Sequence, residues 1–267
     1  LFFGTYEGTL TIAYCHPHVQ RYRLCLWALA LLITTGGCTT TQPSPEVATG
    51  ECVVLVHGLW RNAWAMQPLA NSLRESGFHT VSIDYDSTGK ALEAVAKEEM
   101  AEAVRQCQTL TSGPVHLVTH SMGGLAARYY LATHALPPGG RVVMLAPPND
   151  GSSVVSHFEG HPLLACLIGS AAAPLSESRP QRLPGATLTT PIGVIAGNNN
   201  PSPVPIPFLD SPNDSTVSVA STLLDGMDDF IVLPESHVSI RRSETVHRQI
   251  RAFLRQGRFE IDPTTPP

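Results

Sequence analysis

Charge is scarce in this chain. Charged residues make up 15% of its 267 positions, and the formal net charge is −5. A weakly acidic chain lacks the basic surface that nucleic acids require, so no nucleic-acid partner is expected. No apolar run is long enough to span a bilayer. The best candidate, Leu24 to Ile33, is far short of the roughly 20 residues a membrane helix needs. Zinc-type spacings of Cys and His are missing as well, and no metal or cofactor is expected. Asp225, Asp228 and Asp229 cluster, but a solvated turn before a strand accounts for them. Internal repeats are also missing. What is plentiful is apolar side chain, at 43%, enough for one large domain whose core needs no disulfide or metal to hold it.

The N-terminal region has a pattern of its own. Arg21 and Arg23 precede the apolar run, and the small residues Thr34, Thr35, Gly36 and Gly37 lead to Cys38. A positive flank, a short apolar core and a small-residue exit read as an export signal; the other reading is a buried N-terminal helix. The exit resembles a bacterial lipoprotein signal, which implies lipidation of Cys38 as the mature N-terminus, although Thr35 stands where such signals usually carry Leu. The expected organisation is therefore an extension and signal over 1–38, a Thr/Pro/Ser-rich tether over 39–50, and a folded domain over 51–260. The expected location is the bacterial envelope, anchored to a membrane through Cys38, or else the periplasm or exterior. The chain opens on Leu, and residues 1 to about 15 read as a start-site artefact or a fragment edge rather than as part of the folded domain. Beyond Cys38 remain Cys52, Cys107 and Cys166. Cys52 opens a strand and Cys107 closes a helix feeding the strand expected beside it, so Cys52–Cys107 is the preferred bridge, with three free thiols as the alternative.

Strand and helix patterns then alternate. Apolar runs at 52–56, 80–83, 115–118, 142–145, 192–196 and 230–233 read as buried strands. Helical patterns occupy 63–76, 91–110, 122–135 and 243–253. This rhythm implies an α/β fold with a mostly parallel central sheet covered by helices on both faces. It breaks over about 151–190, which reads as a short lid insertion with an apolar helix near 163–168, placed over the edge of the sheet where such folds bind ligands.

The chemistry centres on Val115 to Gly124, Val-His-Leu-Val-Thr-His-Ser-Met-Gly-Gly. A strand runs into Ser121 and a helix follows at once, the arrangement of a nucleophile elbow whose hydroxyl projects above the sheet. The bland alternative is a serine that caps the helix. Together with His57-Gly58-Leu59, the run from Asn213 to Val219 and Pro234-Glu-Ser-His237, this segment resembles the α/β-hydrolase superfamily, in particular bacterial lipases and related esterases. The resemblance implies that fold, a Ser–acid–His triad in that chain order, and an oxyanion hole of backbone N–H groups from Leu59 and Met122. Thr119 departs from the glycine usual two residues before the nucleophile, and Ser215 from the glycine that often follows the acid.

A serine hydroxyl needs a base to remove its proton. Only His237 and His247 fall late enough in the chain, and His247 lies inside a helical pattern, so His237 is the expected base. Asp214 or Asp210 could hold its imidazole; Asp214, just before Val217-Ser-Val219, is preferred. His57 could orient its loop and His120 shape the elbow. Trp60 and Trp64, with Leu59, are expected to line a substrate pocket beneath the lid, which favours an acyl or lipid ester. Three functions stay open: a lipase or carboxylesterase working through an acyl-enzyme, an acyltransferase or thioesterase with the same triad, and a non-catalytic binding lipoprotein.

Overall fold

A computed structural model describes residues 50–152, 190–202 and 209–260. The signal, Cys38, Cys166 and nearly all of the expected lid lie outside the described residues. Six strands form one sheet in the order β2-β1-β3-β4-β5-β6: β1 Cys52–Val56, β2 His79–Ser82, β3 Val115–His120, β4 Val142–Leu145, β5 Ile192–Gly197 and β6 Asp229–Leu233. Every neighbouring pair is parallel. The four inner strands are buried along their whole length, while the edge strands β2 and β6 are half-buried. Continuous apolar runs are what a strand covered on both faces demands.

Side chains alternate across each strand, and this divides the core in two. Cys52, Val54 and Val56 of β1 and Leu117 of β3 face one cluster; α2 (Leu92–Val95), α3 (Ala101–Leu110) and α4 (Gly123–Thr133) close it with Val95, Val104, Leu125 and Tyr130. Val53, Leu55 and Val118 face the other, covered by Leu69 and Leu73 of α1 (Gln67–Glu75) and by Ile250 and Phe253 of α5 (Glu244–Gln256). Cys107 of α3 thereby lies over Cys52, and the two form a disulfide.

Some elements differ from the expected bounds. The pattern over 63–76 divides into a 3-10 turn, Ala63–Met66, and α1, because Pro68 has no N–H to donate and suits only a first helical turn. The long amphipathic pattern over 91–110 contains a π turn at Ala96–Met100. That wider turn absorbs one residue, which keeps Val95 and Met100, five apart, on the face packed against the sheet. The acidic cluster forms an exposed turn at Asp225 and Asp228 leading into β6. Within it, Asp228 accepts the N–H of Ile192 at 2.7 Å and Asp229 that of Phe259 at 2.6 Å, so these two carboxylates also tie the start of β5 and the tail after α5 to the sheet.

Candidate active site

β3 delivers its last residue, His120, into register with Leu145 of β4. Ser121 then turns sharply, with φ at +54°, a left-handed conformation that non-glycine residues adopt only under strain. Its N–H still bonds to the Leu145 carbonyl at 2.8 Å, so the strained turn is pinned to the sheet, and α4 begins two residues later. The hydroxyl is thereby raised at the carboxyl edge of the strands. Crowding is severe. A Cβ on Gly58, in the loop after β1, would stand 2.9 Å from the Ser121 Cβ. Thr119 is fully buried, and Gly124 is needed where α4 passes Pro147, whose Cβ would stand 2.8 Å from a Cβ at that position.

The loop after β6 carries His237 to this edge. Its Nε2 accepts from the Ser121 hydroxyl at 3.0 Å and its Nδ1–H donates to Asp214 Oδ2 at 2.7 Å. Asp214 is fully buried, and its other oxygen accepts the N–H groups of Thr216 and Val217 at 2.9 and 2.8 Å. A carboxylate held on both oxygens cannot swing away, so the imidazole keeps one tautomer and one orientation. Asp210 is exposed and lies apart from this chain of bonds. His247 is buried in α5, where its Nε2–H donates to the Arg241 carbonyl at 3.1 Å, a structural arrangement away from Ser121. The turn after Asp214 is strained at Ser215, φ +82°, which is why glycine is common at such a position.

Two backbone donors flank the serine. Among the described residues neither the Leu59 nor the Met122 N–H has a hydrogen-bond acceptor, and both belong to segments that touch Ser121. Support for the Leu59 side comes from residues that carry no local sequence signal. The Tyr85 hydroxyl donates to the His57 carbonyl at 2.7 Å, its ring stacks on His57 at 4.2 Å, and Ser87 Oγ accepts the Trp60 N–H at 2.9 Å. His57 Nδ1–H donates to the Gly58 carbonyl at 2.9 Å, and burial holds this histidine below its ordinary range. Trp60 and Trp64 are 59% and 73% exposed, so the described residues do not enclose them. Among those residues no cluster of three metal-ligating side chains occurs.

The model of the alpha/beta hydrolase family matches residues 53–259. The chain belongs to the alpha/beta hydrolase family. Its sequence is 34% identical over 115 residues to the "Putative carbamate hydrolase RutD" of Variovorax paradoxus, which covers 41% of this chain and 42% of that protein. It is 32% identical over 84 residues to the (E)-2-((N-methylformamido)methylene)succinate hydrolase of Acinetobacter baylyi, covering 30% and 32%. The chain thus matches less than half the length of either relative. In fold, this chain is similar to the mature Bacillus licheniformis lipase BlEst2, with a TM-score of 0.60 and 19% identity over 80% of this chain and 94% of that one. A metagenomic carboxyl esterase, MGS0156, gives 0.59 and 20% over 75% and 69%.

Proposed function

We propose that the protein is a serine hydrolase that cleaves carboxylic esters through Ser121, His237 and Asp214. The observation that carries this reading is the unbroken relay from the Ser121 hydroxyl to His237 Nε2 and from His237 Nδ1–H to Asp214, at 3.0 and 2.7 Å. As the Ser121 oxygen attacks the ester carbonyl, His237 takes its proton; Asp214 stabilises the resulting imidazolium without itself being protonated. The negative charge that develops on the carbonyl oxygen is received by the Leu59 and Met122 N–H groups. His237 then protonates the leaving alcohol, and water releases the acyl group by the same steps in reverse. A fluorophosphonate probe that labels Ser121, together with hydrolysis of p-nitrophenyl esters abolished by Ser121→Ala, is the expected result. Full activity in Ser121→Ala overturns the reading.

An acyl or lipid ester is the proposed substrate class, with Leu59, Trp60 and Trp64 as its apolar contacts. A chain-length series of esters tests it, run beside a carbamate because one relative bears that name; equal turnover of every chain length speaks against it. Product analysis with added alcohol separates hydrolysis from acyl transfer. We also propose export to the envelope with an anchor at Cys38, a location the Cys52–Cys107 disulfide favours. Palmitate incorporation that is lost in Cys38→Ser is the expected outcome. Among the described residues no helix is long and apolar enough to cross a membrane.

A further inference from the structure

The residue before Ser121 is also a histidine, and it reaches the loop of the candidate base. His120 is 3% exposed. Its Nε2 lies 2.9 Å from the main-chain carbonyl of His237, and the two rings are 4.8 Å apart at 47°. A carbonyl can only accept, so His120 Nε2 carries the proton. The other nitrogen, Nδ1, is buried without a hydrogen-bond partner. A second proton there would find no acceptor, and the groups facing the ring, His237, Arg241 and Arg61, all oppose added positive charge. Burial above all, then these neighbours, hold His120 well below the ordinary histidine range. The ring is therefore neutral and in one tautomer.

The His237 main chain is held on both sides. Its N–H donates to the Asp214 carbonyl at 2.9 Å, and its carbonyl receives the His120 proton. Asp214 therefore orients the base through both side chain and backbone. His120, directly preceding the serine, joins the same loop to the elbow.

We propose that His120 is a positioning residue for ester cleavage: its neutral Nε2–H ties the His237 loop to the strand end and so sets the distance from Ser121 to His237. The proposal rests on the reading of Ser121 and His237 as nucleophile and base. His120 itself exchanges no proton with substrate.

Replacement can separate positioning from space-filling. In His120→Gln the amide N–H stands close to the place of Nε2 and can still reach the His237 carbonyl. Asn is one bond shorter and cannot, and Leu fills the volume without a donor. Turnover is measured per site titrated with a fluorophosphonate, so misfolded protein does not count. His120→Leu and His120→Asn are expected to lower kcat about 10- to 100-fold with KM little changed, the scale on which a shift of about 1 Å acts. His120→Gln is expected to recover to within about threefold of wild type. A readout free of turnover is the low-field proton resonance of the His237–Asp214 hydrogen bond, expected in wild type and His120→Gln and lost in His120→Asn. Equal effects of Gln and Asn, or wild-type kcat with an intact resonance in Asn, overturn the proposal. A wild type that neither turns over esters nor labels at Ser121 overturns the reading of the site instead, and the resonance alone then decides whether His120 holds the loop.

Discussion

Gly58 lies against Ser121 so closely that a Cβ would stand 2.9 Å from the serine Cβ and 3.1 Å from the His120 carbonyl. The candidate oxyanion donor, Leu59, follows directly. Gly58→Ala must therefore push the donor loop and the elbow apart. Loss of one such donor contact costs about 100- to 1,000-fold in kcat. We expect a fall of that order, with the Tm lowered by only a few degrees. Steady-state kinetics on p-nitrophenyl esters, beside a thermal melt, check it; unchanged kcat would remove Leu59 from the oxyanion role.

Asp214 and Asp210 are four residues apart, yet only Asp214 contacts the His237 ring. Asp214→Asn keeps the shape but presents the wrong hydrogen-bond polarity to Nδ1. The expected loss in kcat is about 10,000-fold, as for the same change in serine proteases. Asp210→Asn is expected to keep kcat within about twofold, being an exposed surface change. The reverse order of effects in parallel kinetic assays would reassign the acid.

Ser215 pays a left-handed backbone conformation, φ +82°, worth roughly 1–2 kcal/mol for a residue with a Cβ. Glycine relieves that strain but loses about 0.5–1 kcal/mol of chain entropy. Ser215→Gly is thus expected to stabilise the fold by about 0.5–1 kcal/mol. Urea unfolding reads the change, and a destabilised variant would refute the strain.

Three buried histidines, His57, His116 and His120, are held below the ordinary histidine value, in each case chiefly by burial. Below about pH 6.5 the unfolded chain takes up protons that the native one refuses. Stability contributed by these groups is therefore complete above that pH and lost as pH falls. Each can contribute up to about 1.4 kcal/mol per pH unit. Glu244, lowered by Arg251, adds its loss only in the more acidic carboxylate range. Denaturant unfolding at pH 7, 6 and 5 is expected to show the decline, with a shallower slope in His120→Gln. A flat profile would contradict the burial of these rings.

The Cys52–Cys107 disulfide closes a loop of 55 residues. By the chain-entropy relation such a loop is worth about 4 kcal/mol. Cys52→Ala with Cys107→Ala is expected to lose about that much, read as the shift in the urea midpoint. A double variant as stable as wild type would show that packing of α3 on β1 suffices.

Much of this molecule was legible in sequence because the signals are local. The apolar runs at 52–56 and 142–145 match β1 and β4 residue for residue, since strands buried on both faces leave no polar position to blur their ends. The π turn at Ala96–Met100 was not legible, because a spacing of five on one face looks like ordinary helix noise until the sheet shows which face is buried. Tyr85 and Ser87 carried no signal either. Their roles arise from loop 84–89 lying beside the loop after β1, a consequence of β2 pairing with β1.

The elbow at Ser121 shows where the division falls. A strand, a serine among small residues and a helix are neighbours in the chain, so sequence alone determined that this serine would be lifted above the sheet. Which histidine and which aspartate meet it could only be narrowed by chain order. Asp214 lies 23 residues from His237 and Ser121 lies 116 away. Only parallel pairing of β3, β4, β5 and β6 brings those loops to one edge. The same packing decided that His120, next to the serine, would donate its one proton to the backbone of His237. Local steric rules wrote the turn; the register of the sheet assembled the site around it.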